Sequence, residues 1–466
     1  MKTRPKLLTL SLLLCGLSCT LAHAATVSDS TTALIERGKY IAIAADCNAC
    51  HRPANDNGLP FAGGVAIVSP MGNIIAGNIT PSKEFGIGNY TEQQFADAVR
   101  RGVLPDGANL YPAMPYTSYH SMTDADVHAL YIYLMQSVKP ADFAPAAQTD
   151  LSFPFNVRQI MWGWNLLYRS SARFENQADL SGQLNRGKYL VEVLAHCSTC
   201  HTPRNVMMAE KGSLDLSGSP LGGWYAPNIT PDESGIADWS QTDIVTYLKT
   251  GHLADKAQAA GPMAEAVENS FRFMTDDDLN AMAAWIKQVP AVHTKTRTLA
   301  AQPHPVADDI DSIITGQNAQ GVLADSSTTN GAELYENACA SCHGHNGQGT
   351  RDNFYPSLTQ NRAVSAPGAE NLVMSITEGI HRKSSDSDVS MPAFNQQLNN
   401  AQIASVSNYV RHHFAGMNED ITPAEVQNLR NGGSTPFIMR YLHELMALGA
   451  LIAIAFLFGM WKWWKS

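Results

Sequence analysis

The chain has 466 residues, of which 44% are hydrophobic and 16% are charged, and its formal net charge at pH 7 is −10. This acidic balance argues against nucleic acid as a partner, and it gives no reason to expect attraction to anionic lipid by charge alone. Any attachment to a membrane is therefore expected to come from apolar residues.

The first 24 residues have the pattern of an export signal. Basic residues open the segment, an apolar stretch follows from Leu7 to Leu21, and Ala22-His23-Ala24 forms an A-x-A cleavage site. Cleavage would remove three positive charges and no acids, which moves the formal charge from −10 to −13. Cys15 and Cys19 would leave with the signal, although a lipoprotein site at Cys19 is an alternative.

Three C-x-x-C-H pentapeptides dominate the rest of the chain. They are Cys47, Cys50 and His51, then Cys197, Cys200 and His201, then Cys339, Cys342 and His343. In this motif both thiols bond to the porphyrin of a c-type haem and the histidine ligates the iron. A thioredoxin-type redox pair or half of a zinc site would leave the histidine unexplained in all three copies. The motifs therefore predict three covalently bound haem c groups.

The chain repeats itself around the first two motifs. The sequence Arg-Gly-Lys-Tyr precedes each of them, at Arg37–Tyr40 and Arg186–Tyr189, and an Asn-Ile-Thr-Pro segment follows each of them. The third unit is shorter and lacks that segment. Apolar residues at helical spacing recur in every unit. The sequence therefore predicts an all-α chain of three tandem domains, at residues 25–150, 151–300 and 325–417.

Two linkers rich in Pro, Ala and Gln separate these domains, at Lys139–Pro154 and at Pro290 to about Ser326. The aromatic segment Phe153–Ser170 follows the first linker. We expect it to be a helix that packs between domains. A docking surface for a partner subunit is the alternative, because Trp, Tyr and Arg are frequent anchors of interfaces.

The function of a haem depends on the second axial position of its iron, which a methionine sulfur fills in many electron carriers. The candidates are Met114 in YPAMPY, Met263 in AAGPMAE and Met391 in VSMPAF, and we expect all three in loops. Met114 stands 63 residues after His51 and Met263 stands 62 residues after His201, so the two repeats agree.

Other methionines and histidines are weaker candidates for ligands. We expect Met122, Met274 and Met374 to fill the core, which is the usual role of methionine. His120 and His128 would permit bis-histidine ligation in the first domain, whereas His345 reads as a loop residue. No Ser-His-Asp, G-x-S-x-G, P-loop or dinucleotide signature occurs, so we expect no site that oxidises a substrate.

An apolar segment lies close to the C-terminus. Seventeen residues without a charge run from Leu445 to Trp461, which as a helix cover roughly 25 Å. Such a helix can span a bilayer with little tilt or lie in its interface, with tryptophans at the headgroups. We predict a membrane anchor over residues 437–464, with a buried core helix as the alternative. Because haem is attached outside the cytoplasm, the tail of a spanning helix would be cytoplasmic.

Several stretches resemble one known family. They are FAGGVAIVSPMGNIIAGNITPSKEFGIGNYT, GANLYPAMPYTSYHSMTDADVHALYIYL, the RGKYL and HCSTCHTPRN unit with PNITPD, and CASCHG. The chain resembles the triple-haem cytochrome c subunits of bacterial membrane-bound dehydrogenases over nearly its whole mature length. The resemblance implies class I-like cytochrome c domains, with His51, His201 and His343 as proximal ligands and Met114, Met263 and Met391 as distal ligands.

The resemblance also implies partners and a location. A large catalytic subunit, with a small chaperone-like subunit in some complexes, would oxidise an alcohol, aldehyde, sugar or sugar acid on the periplasmic side of the inner membrane. This chain would pass the electrons to ubiquinone. The wording of the SPMG and NITPSK stretches favours a flavin partner over a pyrroloquinoline quinone alcohol dehydrogenase or a molybdenum aldehyde dehydrogenase. A haem enzyme acting on a small molecule and an oxidase subunit are rival functions.

Overall fold

A computed structural model describes residues 30–54, 58–295, 323, 325–359 and 361–465. The predicted export signal lies outside the described residues, and so does most of the second predicted linker. The described chain comprises a first unit (residues 30–151), a bridging helix, a second unit (residues 182–295), a third unit (residues 325–430) and a C-terminal helix.

Helices are the main regular secondary structure of the three units. The first unit contains α1 (residues 30–44), α2 (Cys47–His51), α3 (Glu92–Arg101), α4 (Tyr116–Tyr119) and α5 (Asp124–Gln136). The bridging helix is α6 (Ile160–Tyr168). The second unit contains α7 (Gly182–Tyr189), α8 (Ser198–His201), α9 (Gln241–Thr250), α10 (Gly261–Asn269) and α11 (Asp276–Ile286). The third unit contains α12 (Gly331–Ala338), α13 (Ala340–His343), α14 (Arg362–Ser365), α15 (Glu370–Glu378), α16 (Asn400–Ala415) and α17 (Pro423–Arg430). The C-terminal part contains α18 (Phe437–Arg440) and α19 (Leu442–Lys465).

The expectation of an all-α chain is wrong in one respect, because short antiparallel strands accompany the helices. The first unit has β1 (Ala66–Ser69), β2 (Gly72–Ile75) and β3 (Asp150–Leu151), paired in that order. The two-stranded hairpins are β4 (Ser219–Leu221) with β5 (Trp224–Ala226), β6 (His252–Leu253) with β7 (Ala257–Gln258), and β8 (Ile380–Lys383) with β9 (Asp388–Met391). Gly222 and Gly223 both have positive φ, as the tight turn between β4 and β5 requires.

Equivalent helices of the first two units begin and end alike. Helix α3 follows Thr91, and α9 follows Ser240; each hydroxyl accepts the N–H three residues on in a capping box. The two helices end at Gly102 and Gly251, both left-handed. The local sequence therefore sets the same helix length in both repeats.

The first two units share one hydrophobic core, and each unit donates one tyrosine hydrogen bond to a carboxylate of the other. Tyr40 of the first unit donates to Asp278 of the second, and Tyr189 of the second donates to Asp126 of the first, both at 2.6 Å. Arginine from the same repeated tetrapeptide pairs with each carboxylate within its own unit, with Arg186 bidentate on Asp278 at 2.6 and 2.8 Å. The repeated Arg-Gly-Lys-Tyr sequence therefore builds a pseudo-twofold interface.

The glycines of this tetrapeptide allow the helices to cross closely. A Cβ at Gly38 would lie 2.0 Å from the Ala129 carbonyl oxygen, and a Cβ at Gly187 would lie 2.0 Å from that of Ala281. Helix α1 thus rests directly on α5, and α7 rests on α11. No larger residue fits at either crossing without moving the backbone.

The third unit has its own core and is attached to the second by polar contacts. Asn371 exchanges two hydrogen bonds with the backbone of Tyr225, at 2.9 and 2.8 Å. The buried Arg382 donates to the Ala259 carbonyl at 3.0 Å. Arg362 donates to Gly235 at 2.5 Å and lies over the Trp239 ring. Two arginines of the third unit therefore fix it to the second.

Helix α19 projects from the third unit without packing on the described part of the chain. It has 24 residues, its apolar window is 0% buried, and no other helix among the described residues is long and apolar enough to cross a membrane. At about 1.5 Å per residue it is about 36 Å long, which exceeds the hydrocarbon core of a bilayer. The alternative of a buried core helix is wrong, and α19 could anchor the chain in a membrane.

The reciprocal carboxylates should stabilise the paired units. Burial raises the pKa of Asp278, but hydrogen bonds from Arg186 and Tyr40 outweigh that effect and lower it. Asp278→Ala should therefore lower the free energy of unfolding by about 1–3 kcal/mol at neutral pH, measured by chemical denaturation.

The neighbouring exposed carboxylate provides the control, because Asp277→Ala should cost only about 0.5 kcal/mol. The depressed pKa means that the stabilisation by Asp278 is present above the unfolded pKa of about 3.9 and is lost as the pH falls below it. The free energies of unfolding of the parent chain and of Asp278→Ala should therefore become equal in acid. Equal effects of the two substitutions would contradict the role of the interface.

Candidate haem-binding cavity

One continuous cavity of about 1750 Å³ runs through all three units. It is larger than the 300–1,000 Å³ that usually holds one small ligand. Its lining includes all the sequence-predicted site residues except Cys342, namely Cys47, Cys50, His51, Met114, Cys197, Cys200, His201, Met263, Cys339, His343 and Met391. Cys342 lies half-buried in α13, next to this lining. The fold thus brings together three motifs that are far apart in sequence.

Each motif histidine is held by a backbone carbonyl. The Nδ1 atoms of His51, His201 and His343 lie 2.7, 2.7 and 3.0 Å from the carbonyl oxygens of Gly77, Pro227 and Pro356 respectively. Because a carbonyl only accepts, Nδ1 carries the proton and Nε2 keeps the lone pair that binds a metal. Burial lowers the pKa of all three histidines, which favours the neutral form that a metal needs.

A second hydrogen bond holds the backbone of the motif histidine in every unit. We call these two hydrogen bonds, one through the ring and one through the carbonyl oxygen, the frame of each histidine. The carbonyl oxygen of each motif histidine accepts a 2.7 Å hydrogen bond from a glycine with positive φ: Gly63, Gly218 and Gly349. A Cβ at Gly63 would lie 2.5 Å from the Gly77 carbonyl oxygen that holds His51. None of these residues was predicted. The glycines stand at different distances from their motifs, but Gly77 and Pro227 both stand 26 residues after their histidines, directly before the repeated Asn-Ile-Thr segment. That shared spacing is a signal that could have identified the two carbonyl residues.

The repeated Asn-Ile-Thr segment fastens the carbonyl loop in the first two units. Buried Asn228 accepts from the N–H and hydroxyl of Thr230 at 2.9 and 2.8 Å and donates to the Val292 carbonyl at 2.8 Å. Asn78 makes the same bonds with Thr80 and the Ala141 carbonyl. The segment therefore ties the histidine-holding loop to the chain that follows the last helix of its unit.

The six motif cysteines are half-buried, and the pKa of five of their thiols, all but that of Cys342, is raised. The six form no disulfide with one another, and burial raises the pKa of Cys47, Cys197 and Cys339 to about 12 and that of Cys50 to about 11. A thioredoxin-type pair needs a lowered pKa on an accessible thiol. The environment therefore argues against that alternative and fits thiols that receive a prosthetic group.

The three methionine candidates line the cavity and are half-buried, but they do not all lie in loops. Met114 lies in a turn before α4, Met263 lies in the first turn of α10, and Met391 ends strand β9. Met122, Met274 and Met374 are buried in the hydrophobic cores, and of these Met122 also borders the cavity.

The alternative histidines lie elsewhere. Neither His120 nor His128 lines the cavity. Both ring nitrogens of His120 are engaged, with the Thr117 carbonyl at 2.7 Å and the Ser121 hydroxyl at 2.9 Å. His128 lies 2.9 Å from Glu92, and His345 lies 2.5 Å from Glu336. These contacts give no support to bis-histidine ligation.

Residues at two junctions between the units also line the cavity. Between the first and second units lie Asp46 and His196, which occupy equivalent positions before Cys47 and Cys197 and both have positive φ. Burial lowers the pKa of His196 to about 4 and raises that of Asp46 well above its usual value. Trp224 and Tyr225 line the cavity near the third unit.

Comparisons with known proteins identify relatives over most of the chain. A family model described as cytochrome c matches residues 184–290, and one described as cytochrome c oxidase, cbb3-type, subunit III matches residues 326–410. The chain is 42% identical to the fructose dehydrogenase cytochrome subunit of Gluconobacter japonicus, over 92% of this chain and 90% of the relative.

Two further relatives are subunits of other dehydrogenases. The cytochrome c subunit of the quinone alcohol dehydrogenase of Gluconobacter oxydans is 35% identical, over 90% of this chain and 87% of its own. The gluconate 2-dehydrogenase cytochrome c subunit of Pantoea cypripedii is 35% identical, over 88% of this chain and 93% of its own.

The glycine at the end of each frame should be needed for packing as well as for its backbone angle. Gly63→Ala would place a methyl group against the Gly77 carbonyl, whereas Gly107 has a similar positive φ and open space around its Cβ position. Gly107→Ala should therefore lower the free energy of unfolding by about 1 kcal/mol, and Gly63→Ala by at least about 2 kcal/mol.

Denaturant unfolding of the two variants tests this difference. The contact also predicts that Gly63→Ala alone changes the midpoint potential of one haem, because the carbonyl that orients His51 must move. Equal stability of the two variants, with unchanged potentials in both, would show that the frame does not constrain the histidine.

Proposed function

Because the chain belongs to the family of cytochrome c subunits of dehydrogenase complexes, we propose that it carries three haem c groups in series and passes electrons from a catalytic subunit to ubiquinone. Its role is electron transfer, and its cytochrome c domains imply covalently bound haem. That this chain binds three haems, and that ubiquinone accepts its electrons, is what we propose beyond the family's role. The continuous cavity, with three C-x-x-C-H motifs in one repeated frame, is the observation that carries it.

We assign the ligands and attachment points by position. His51, His201 and His343 are the proximal ligands, because each offers Nε2 from a ring fixed by a carbonyl. The six motif cysteines form the thioethers, and Met114, Met263 and Met391 are the distal ligands. The domains extend over residues 25–150, 151–300 and 325–417.

The chain's own residues provide a dry and rigid setting for this role. Haem iron supplies the one-electron chemistry, cycling between its ferric and ferrous states. The apolar lining excludes water, and the hydrogen-bonded frames hold each histidine in one orientation. Neither the apolar lining nor the frames require the chain to move during electron transfer. This suits an outer-sphere carrier, which makes no bond to a substrate.

The second site is the central one in the series. Helix α10, which carries Met263, packs against α2 of the first unit and against α15 and β8 of the third. The first and third sites therefore adjoin the second, and they can face different partners. A two-electron substrate is oxidised by the partner, and several one-electron centres in this chain ease that mismatch.

We favour a flavin dehydrogenase of a sugar or sugar acid as the partner. The SPMG and NITPSK wording supports this choice, and the relative named for fructose dehydrogenase is 42% identical, against 35% for the alcohol dehydrogenase relative. A pyrroloquinoline quinone or molybdenum dehydrogenase is the alternative partner, and a small chaperone-like subunit would complete the complex.

We propose a location on the periplasmic side of the inner membrane, which the predicted export signal of residues 1–24 and the apolar helix α19 support. Ubiquinone would then lie within reach of the anchored body. An oxidase subunit is a weaker alternative, because the oxidase-type family model covers only the third unit. A haem enzyme acting on a small molecule would need an open axial position, whereas a methionine lines the cavity in every unit.

Substitution of a distal ligand should lower one midpoint potential, because methionine sulfur stabilises ferrous haem. Met263→Leu should lower the potential of one haem by on the order of 0.1 V or more, within the range of about 0.8 V that axial ligands span. Redox titration measures the shift. Met274→Leu, a buried core position in the same unit, should leave all potentials in place. If the midpoint potentials of Met263→Leu and Met274→Leu both equal those of the parent chain, Met263 is not a ligand.

Purification from membranes in mild detergent tests the function directly. We expect the haem chain, with three haems by mass, to come out with a large flavin subunit, and we expect its haems to be reduced when the right sugar or sugar acid is added. A quinoprotein or molybdenum partner would change the assigned partner only. Recovery with oxidase subunits, and no reduction by any such substrate, would contradict the dehydrogenase role.

A further inference from the structure

The bridging helix α6 is apolar on both of its faces. Its inner face, with Met161, Trp164 and Tyr168, packs with Tyr116 and Ala209 in a small core. Trp164 donates to the Met207 carbonyl of the second unit at 2.9 Å, and Tyr116 of the first unit donates to Asn165 at 2.8 Å. The inner face therefore joins the first two units, as the sequence predicted.

The outer face of α6 is exposed and carries no polar side chain. Trp162, Leu166 and Leu167 are 68%, 71% and 68% exposed, and Ile160 is also exposed beside them. Val206 and Met207 extend this surface from the loop that Trp164 holds. We call these six residues the outer patch. A helix that is apolar all round is normally covered, and contiguous exposed patches of this kind mark interaction sites.

The charges around the outer patch indicate what covers it. From Phe153 to Arg173 the chain has three arginines and no acidic residue, although its overall formal charge is −10. Arg158 and Arg169 donate to the backbone carbonyls of Asn109 and Arg101. Arg173 donates to the His120 carbonyl and lies 3.5 Å from the exposed Asp124. The segment that carries the patch thus has a net positive charge, which complements anionic lipid headgroups.

Exposed apolar side chains that include a tryptophan, in a segment with arginines and no acidic residue, are typical of a helix that lies in a membrane interface. A second membrane contact also costs little here, because α19 already holds the body near the bilayer at a high effective concentration. We propose that the outer patch of α6 inserts into the bilayer interface, so that the body is attached at two points. This contact is independent of the haem assignment.

Photocrosslinking of the full chain in vesicles tests the contact. Leu166→Cys, labelled with a benzophenone maleimide and irradiated, should gain a phospholipid by intact mass, with a severalfold higher yield in equimolar phosphatidylcholine and phosphatidylglycerol than in phosphatidylcholine alone. Thr242→Cys, at an exposed position of α9, is the control and should gain none. The parent chain, labelled in parallel, reports any motif thiol that is not in a thioether, which would count against the haem assignment alone.

Other products would overturn the proposal. Crosslinks that form only with a co-purified catalytic subunit would make the outer patch a protein-docking surface. Crosslinks between two copies of the chain would make it a self-association surface. A lipid yield equal to that at Thr242→Cys would show that the anchor alone brings lipid near the body.

Discussion

The hydrogen bond from each motif histidine to a backbone carbonyl is the contact on which the rest of the molecule depends. It exists only if a loop 26 residues further on in the first two units, and 13 residues further on in the third, returns to the motif. An unpaired ring N–H would be costly beside the mostly apolar lining of the cavity, so the loop that carries the acceptor must be held in place. Asn78 and Asn228 provide this fixation, and a close-fitting glycine completes it.

Pairing of the first two units follows from the same need for a dry interior. A unit of about a hundred residues buries a smaller fraction of its surface than a larger domain does. Sharing one core makes up for this, and the exchanged bonds of Tyr40 and Tyr189 hold the units in one relative position. A carrier whose sites are held at fixed positions needs no rearrangement for each electron. The repeated tetrapeptide is therefore an assembly element as much as a part of a helix.

The sequence predicted what depends on a short motif or on a spacing shared by two repeats. The C-x-x-C-H histidines, the helical units, the family and the apolar C-terminal helix belong to this class, and so does the position of Met263 in the cavity lining. The features that it missed depend on the chain folding back onto the motif. Gly63, Gly218 and Gly349 stand 12, 17 and 6 residues after their histidines, so no fixed pattern exists to be found. The short hairpins were missed because their strands contain only two to four residues.

Helix α6 shows why a local pattern alone cannot separate structure from interaction. Its inner face touches the loop that carries Met114 and the loop that follows His201, so it is a structural bridge between two sites. Its outer face has the same apolar composition but no protein against it among the described residues. The interpretation of the aromatic segment as a helix that packs between domains therefore describes its inner face only. Whatever covers the outer face also lies one helix away from the first site, because Met114 packs against the core that the inner face of α6 completes.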